Sequence, residues 1–359
     1  MGEPHGIGIV GLGVISGAYL DTIARHPGLR LVAVADLNEA RAAEVAAATG
    51  ALALDVDALV AHPEVQTVLN LTIPAAHADI ALRAIKAGVD VYGEKPLAST
   101  FDDAVRVMSA AAAAGVAVGC APDTVLGTGT QTARGVVDSG ALGTPIFATA
   151  TMITPGHERW HPNPDFYYRD GGGPLLDMGP YYVSALVQIL GPAVSVTGRS
   201  SRLRDTRTIA NGSRLGEQLL VEVETHVTGV IEHASGALST LTTSFDGIAT
   251  TAVPIEIHGT EGSMVVPDPN HFAGDVRLRL RDTPEWEVVP PSHGFIDGSR
   301  GIGLLDFVRT PRGEVARASG AFGLHVLEIM TALLRSSQEQ RTIPLTTTIT
   351  RPPIVPLTS

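Results

Sequence analysis

Short apolar runs alternate with longer amphipathic stretches through the first third of the chain. The apolar runs predict strands at 7–10, 31–35, 65–71, 89–93 and 117–120. The stretches between them predict helices at 14–25, 38–49, 55–61, 75–87 and 99–114. Strands that alternate with helices form a parallel sheet covered on both faces. Residues 1–122 are therefore predicted to form a doubly wound α/β domain.

After Pro122 the pattern changes to closely spaced strands. A helix is predicted at 128–139 and another from Pro174 to about Leu190, with strands at 146–154, 194–200, 219–232, 237–245, 254–258, 263–266 and 276–280. Because few helices separate the strands, residues 123–345 predict an α+β domain with a large open, mostly antiparallel sheet. The polar stretch 201–216 is predicted to be a surface loop. Residues 346–359 are assigned as a Thr- and Pro-rich tail that could reach a neighbouring subunit.

A glycine turn, Gly11-Leu12-Gly13, follows the first predicted strand, and Val14 and Ile15 open the next helix. Alone it could mark only a tight turn. Here it lies between a strand and a helix, where Gly11 permits the turn and Gly13 lets the backbone approach a pyrophosphate. Ser16 stands where the usual fingerprint has its third glycine, and its small side chain still permits close packing. The pattern predicts a dinucleotide-binding Rossmann domain.

Asp36 ends the second predicted strand, where an acid accepts hydrogen bonds from the adenosine ribose hydroxyls. A carboxylate there repels the 2′-phosphate of NADP, so NAD is the predicted cofactor and NADP the less favoured one. Further cofactor contacts are predicted where the next strands end, because ligands bind at that edge of a parallel sheet. These candidates are Thr72, Ile73, Pro74, His77, Glu94 and Lys95. For His77, a position beside the nicotinamide and a plain place in a helix stay open as alternatives.

Lys95 belongs to the motif Glu94-Lys95-Pro96, and Lys86 is the only other lysine in the sequence. Arginine supplies the remaining positive charge of the chain. Arginine stays protonated in proteins, whereas a partly buried lysine can release its proton. A lysine kept at a strand end therefore indicates acid–base chemistry, and the alternative is an ion pair beside a turn proline.

Two stretches of the second domain carry candidate chemistry. In Gly171–Tyr182, Asp177 and Tyr181 are four residues apart and share one helix face. The alternative for Asp177 is an acid that the helix dipole favours near an N-terminus. In the other stretch, residues 157–161 spell His-Glu-Arg-Trp-His, the pattern of zinc proteases. Prolines on both sides leave no room for the helix that this zinc site needs, so a loop and no metal are predicted.

The chain has eight phenylalanines, six tyrosines and two tryptophans, and six of these residues lie within 160–182. Aromatic faces beside His and Asp side chains suit a polyol, which presents C–H faces and hydroxyls together. Part of this cluster could instead hold the loop down. The candidates for substrate binding are Lys95, Asp123, His157, Trp160, Asp177 and Tyr181.

Composition narrows the function classes. The formal net charge of −12 argues against a nucleic-acid or anionic-membrane partner. A single cysteine, Cys120, fits a reducing compartment. The N-terminal residues lack the basic and apolar regions of a signal peptide, and no apolar run has the length of a membrane span. A cytoplasmic location is therefore predicted.

Together, Gly11-Leu12-Gly13, Glu94-Lys95-Pro96 and the stretch from Gly171 to Gly179 resemble the Gfo/Idh/MocA family of NAD(P)-dependent oxidoreductases. The resemblance implies that Lys95 touches the nicotinamide ribose and the reacting hydroxyl, and that Asp177 is a site residue. The family's usual histidine is Tyr181 here, and its further aspartate is Ser184. The resemblance also implies sugar or cyclitol substrates and a homodimer or homotetramer.

Three functions are compatible with the sequence. The first is oxidation of a sugar or cyclitol hydroxyl by NAD, with Lys95, Asp177 and Tyr181 as catalytic residues. The second is reduction of a keto-sugar, or transient oxidation that enables glycoside cleavage. The third is a non-catalytic nucleotide or sugar sensor, since a fold does not determine a function.

Overall fold

The computed structural model divides into two compact units. The first comprises Met1–Asp123 and Ser299–Leu324, and the second comprises Thr124–Gly298 and His325–Ser359. The structure describes residues 3–358. Met1 and Gly2, which belong to the first predicted domain and to the stretch searched for a signal peptide, lie outside the described residues, as does Ser359 of the predicted tail. Residues 299–324, which lie within the predicted second domain, belong to the first unit.

The first unit contains a parallel sheet with helices between its strands. The strands are β1 (His5–Val10), β2 (Leu29–Ala35), β3 (Leu52–Ala53), β4 (Thr67–Asn70), β5 (Asp90–Gly93) and β6 (Val118–Cys120). The helices are α1 (Ser16–Arg25), α2 (Glu39–Thr49), α3 (Val56–Val60), α4 (Pro74–Lys86) and α5 (Phe101–Ala114). The strand order is β3-β2-β1-β4-β5-β6. The predicted doubly wound sheet is confirmed.

The strand register aligns the carboxyl ends of this sheet. Val10 lies opposite both Ala35 and Asn70, and Gly93 lies opposite Asn70 and Cys120. The strand order reverses between β1 and β4, which is the switch point where such sheets bind ligands. The segments that follow β1, β2, β4 and β5 therefore leave the sheet at one edge, beside that switch point.

The second unit contains a large mixed sheet. Its strands are β7 (Pro145–Ile153), β8 (Ala193–Ser201), β9 (Thr206–Thr208), β10 (Gln218–Leu220), β11 (His226–His233), β12 (Leu238–Ser244), β13 (Ile255–Gly259), β14 (Gly262–Val266), β15 (Val276–Leu280), β16 (Glu287–Val289) and β17 (Ile343–Pro344). The sheet order is β16-β15-β14-β13-β7-β12-β11-β8-β17, while β9 pairs with β10 separately. Strands β7 and β12 are parallel and the other neighbours are antiparallel. The predicted open, mostly antiparallel sheet is confirmed.

The remaining helices are α6 (Thr128–Asp138), α7 (Gly173–Leu190), α8 (Ile302–Arg309) and α9 (Gly320–Glu339). Helix α7 packs on β11 and β12. Helix α8 belongs to the first unit, where Phe307 packs on Tyr92 with ring centroids 5.8 Å apart. Within residues 3–358, no helix has both the length and the apolar character needed to cross a membrane.

One prediction for the second unit was wrong and a second was incomplete. The strand predicted at 219–232 is divided into β10 and β11, because the backbone N–H of Glu222 donates to the Tyr168 carbonyl and draws the chain away from the sheet. The predicted surface loop at 201–216 contains β9, whose Arg207 side chain is 1% exposed. Most of the stretch is exposed, as predicted, and the exceptions are the buried side chains of Arg207 and Ile209.

The tail packs on its own unit. Glu328 of α9 accepts hydrogen bonds from the backbone N–H and hydroxyl groups of both Thr346 and Thr347. Further along, the backbone N–H of Val355 donates to the Gln131 amide oxygen at 2.9 Å. These contacts fix the course of the tail along the same chain.

Candidate active site

The turn after β1 has the geometry of a phosphate-binding loop. Gly11 has φ 94°, and a Cβ added there would lie 2.7 Å from the carbonyl carbon of Leu71, so a larger residue does not fit. Around Gly13 the space is open, since an added Cβ would meet no described atom within 4 Å. Ser16, at the position of the usual third glycine, donates its hydroxyl proton to the Gly13 carbonyl at 2.7 Å.

Asp36 is fixed at the end of β2. Its carboxylate accepts hydrogen bonds from the backbone N–H groups of Leu12 at 2.6 Å and Asn38 at 2.8 Å. Helix α1 begins directly after Ile15, whose apolar side chain makes no capping hydrogen bond to the helix N-terminus. The neighbouring Val14 is 98% exposed. Open backbone, an uncapped helix N-terminus and a held carboxylate fit the pyrophosphate and ribose of a dinucleotide.

His77 joins the segments that follow β4 and β5. Its ring nitrogens lie 2.7 Å from the Pro96 carbonyl oxygen and 3.0 Å from that of Thr72. Burial lowers the pKa of His77, and the side chain is 2% exposed. This geometry favours the structural alternative for His77. Beside it, Ile73 is 61% exposed at the sheet edge, and Pro74 begins α4.

Glu94 orients the chain at the position of Lys95. One oxygen of its buried carboxylate accepts from the Tyr19 hydroxyl at 2.7 Å, and the other accepts from the Lys95 backbone N–H at 3.1 Å. Burial, reinforced by the charge of Glu94, raises the pKa of Tyr19, which keeps that hydroxyl a donor. Lys95 is partly buried. The lysine is thus carried by a rigid segment at the ligand-binding edge of the sheet.

Asp123 lies in a different setting from the one predicted. It is 0% exposed, and its Oδ2 accepts from the backbone N–H groups of Gly301 at 2.7 Å and Gly303 at 3.3 Å. Burial raises the pKa of this carboxyl to about 6, against the opposing effect of Arg300. The carboxylate therefore binds backbone N–H groups at the N-terminus of α8. A side chain with no exposed surface does not match the predicted contact with a substrate.

In the second unit, the structure brings His157, Trp160 and Asp177 together. His157 Nε2 lies 2.9 Å from Asp177 Oδ2, and the Trp160 indole N–H donates to His157 Nδ1 at 3.3 Å. These partners correspond to a neutral imidazole with its proton on Nε2. Tyr181, one turn after Asp177 on α7, is 6% exposed. The carboxylate of Asp177 is therefore oriented by a histidine that lies twenty positions earlier in the sequence.

Aromatic rings surround this pair. The His157 ring centroid lies 4.5 Å from those of Tyr167 and Phe245 and 5.2 Å from that of Trp160. Trp160 remains 54% exposed. A fixed carboxylate beside partly exposed aromatic faces can bind a molecule that has both hydroxyls and C–H surfaces.

The geometry of residues 157–161 differs from that of a zinc site. His157–Arg159 form one 3-10 turn, and the carboxylate of Glu158 binds Arg207 and Tyr168. The two histidines therefore do not share the face of an α-helix, which the zinc motif requires. Across residues 3–358, no three His, Cys, Asp or Glu side chains form a possible metal site.

Both halves of the chain match one protein family. Residues 5–121 match the family described as "Oxidoreductase family, NAD-binding Rossmann fold", and residues 130–265 match the Gfo/Idh/MocA C-terminal domain. The chain belongs to the Gfo/Idh/MocA family. It is therefore an NAD(P)-dependent oxidoreductase acting on CH–OH groups.

Individual relatives agree with this assignment. Inositol 2-dehydrogenase of Rhizobium meliloti is 26% identical over 94% of this chain and 98% of its own length. A 1,5-anhydro-D-fructose reductase of Ensifer adhaerens is 28% identical over 72% of this chain and 74% of its own. An NAD binding oxidoreductase of Klebsiella pneumoniae has the same fold, with a TM-score of 0.83, 23% identity, and coverage of 96% of this chain and 100% of that one.

Proposed function

We propose that this protein is an NAD-dependent dehydrogenase that oxidises a secondary hydroxyl of a sugar, sugar derivative or cyclitol to a ketone. The observation that carries the proposal is the Asp177 carboxylate, held by His157 at 2.9 Å beside the exposed face of Trp160. Relatives named inositol 2-dehydrogenase and 1,5-anhydro-D-fructose reductase support a polyol substrate class.

The proposal gives each residue one task. Lys95, as the neutral amine, takes the proton of the reacting hydroxyl, because a partly buried lysine can first release its own proton. Asp177 accepts a hydrogen bond from a substrate hydroxyl, and Tyr181 assists at the same group. The glycine turn and Asp36 would hold the dinucleotide. When bound, the nicotinamide supplies the site that accepts the hydride.

The proposal is tested by a substrate panel read at 340 nm. The purified protein is mixed with NAD and, in turn, inositols, aldoses, anhydro-sugars and glycosides. A parallel series uses NADH with the corresponding ketones, which tests the reductase alternative. Steady NADH formation with a polyol is expected. Absence of turnover in both series would contradict the proposal and favour a sensor.

Cofactor preference is expected to follow Asp36. Wild type should use NAD with a kcat/KM at least about tenfold higher than NADP, because the fixed carboxylate repels a 2′-phosphate. Asp36→Ser combined with Leu37→Arg should shift the ratio toward NADP. Leu37 is fully exposed, so arginine there displaces no packed neighbour. Equal wild-type efficiency with both cofactors would refute this expectation.

Substitutions in the loop 157–161 are expected to weaken substrate binding and to leave cofactor binding unchanged. His157→Ala and Trp160→Ala should each raise KM for the polyol by about tenfold or more, while the Kd for NAD stays near wild type. Calorimetry with NAD provides the control. Loss of NAD binding in either variant would show a structural role for the loop. EDTA and added zinc should leave activity unchanged, and inhibition by EDTA would point to a metal.

A further inference from the structure

A buried guanidinium connects the loop that carries His157 to the end of β12. Arg207 Nη1 donates to the Pro155 carbonyl at 3.1 Å and to Glu158 Oε1 at 2.8 Å. Its Nη2 donates to the Phe245 carbonyl at 2.9 Å and to the Asp246 carboxylate. One planar group therefore links the loop that carries His157 to a segment whose Phe245 ring packs on the ring of His157.

Tyr168 completes this connection. Its hydroxyl donates to the second oxygen of Glu158 and accepts the backbone N–H of His157 at 3.1 Å. The Tyr168 ring also lies against the guanidinium of Arg207, 5.1 Å from its central carbon. We call Glu158, Tyr168, Arg207 and Asp246 the loop clamp. These four side chains hold the backbone of His157, while Asp177 and Trp160 hold its ring.

The chemistry of the loop clamp indicates positioning more than stability. Removing ionic groups from water has a large cost, and a buried ion pair contributes little more stability than apolar side chains of the same volume. What a forked guanidinium adds is direction, since it bonds two partners in a fixed geometry. Thr225 adds a further hydrogen bond, from its hydroxyl to Asp246 Oδ2 at 2.5 Å. The carboxylates are thus bound at both oxygens, which leaves the loop few alternative arrangements.

We propose that Tyr168 and Arg207 are positioning residues for the reaction: they fix His157 where its ring orients the Asp177 carboxylate toward substrate. Tyr168 is 0% exposed and Arg207 3% exposed, so both act through His157 and not by touching the substrate. The inference rests on the proposed function to the extent that Asp177 binds the polyol. A misplacement of about 1 Å at such a group can lower a rate by about 100-fold.

The test uses Tyr168→Phe, which removes one oxygen and keeps the ring against Arg207 and Phe245. Amide hydrogen exchange in the peptide 155–162 should become faster, because the His157 N–H loses its acceptor. The kcat/KM for the polyol should fall about 10- to 100-fold, with the Kd for NAD unchanged. Tyr182→Phe is the matched control. Its hydroxyl donates to Asp268 instead, at 3.4 Å, and both readouts should stay near wild type.

Arg207→Lys provides a second variant. It keeps the charge that Glu158 and Asp246 require but cannot span both segments, so it should change both readouts in the same direction as Tyr168→Phe. Arg207→Ala is avoided because it leaves the carboxylates of Glu158 and Asp246 without their positive partner, which can prevent folding. Unchanged exchange or unchanged kcat/KM in Tyr168→Phe would overturn the inference. If wild type turns over no polyol, the proposed function fails, and the exchange comparison alone decides whether the loop clamp positions His157.

Discussion

Replacing Lys95 with arginine is expected to lower kcat by roughly 10²–10⁴-fold while the Kd for NAD stays close to the wild-type value. Arginine preserves the positive charge but cannot release its proton near neutral pH. Hydride departure from a carbinol carbon requires the hydroxyl to lose its proton at about the same time. Because Glu94 holds the Lys95 backbone at 3.1 Å, the substitution alters the side chain and leaves the segment in place.

The control for this experiment is Lys86→Arg. Lys86 is the only other lysine and is exposed on α4, so its replacement should leave both kcat and KM unchanged. A nearly normal kcat in Lys95→Arg, with a raised KM for NAD, would make Lys95 a ribose anchor. A nearly normal kcat together with an inactive Tyr181→Phe variant would transfer the proton-handling role to Tyr181.

Asp177→Asn is expected to lower kcat/KM for the polyol by about 10²–10³-fold without loss of NAD binding. Asparagine has the same shape, and its oxygen can still accept the proton of His157 Nε2. The negative charge is lost, and with it the stronger acceptor for a substrate hydroxyl. Steady-state kinetics and NAD calorimetry measure the two effects separately. Asp170→Asn, at an exposed carboxylate of the same unit, is the control and should match wild type. An unaltered kcat/KM in Asp177→Asn would remove Asp177 from the proposed mechanism.

The fold was predictable because its signals are local. Apolar runs separated by helical stretches identify the parallel sheet. In β7, every second residue is buried at Ala148, Ala150 and Met152, which is the pattern of a sheet covered on one face. Gly11 could be assigned from its place after β1, since its φ of 94° reflects the turn that the motif requires. The short strand β3 was not assigned, because two residues are too few to show the alternating pattern of a strand.

The contacts within the candidate site were harder to predict from the sequence. His157 and Asp177 were each selected, but nothing in a spacing of twenty residues indicates that they pair. Arg207 lies in a polar stretch that resembles a surface loop, and its partner Glu158 is 49 positions away. Asp123 resembles an exposed acid until the return of residues 299–324 covers it. Such pairings depend on long-range packing, which local patterns do not encode.

Hydride transfer from a polyol carbon to NAD is the step on which the proposed function depends. It can be followed with the best polyol of the panel, deuterated at the carbon that is oxidised, and mass spectrometry of the reduced cofactor. We expect one deuterium in each NADH and a slower reaction than with the unlabelled polyol. NADH that forms without deuterium, or a polyol consumed with no NADH formed, would contradict direct hydride transfer.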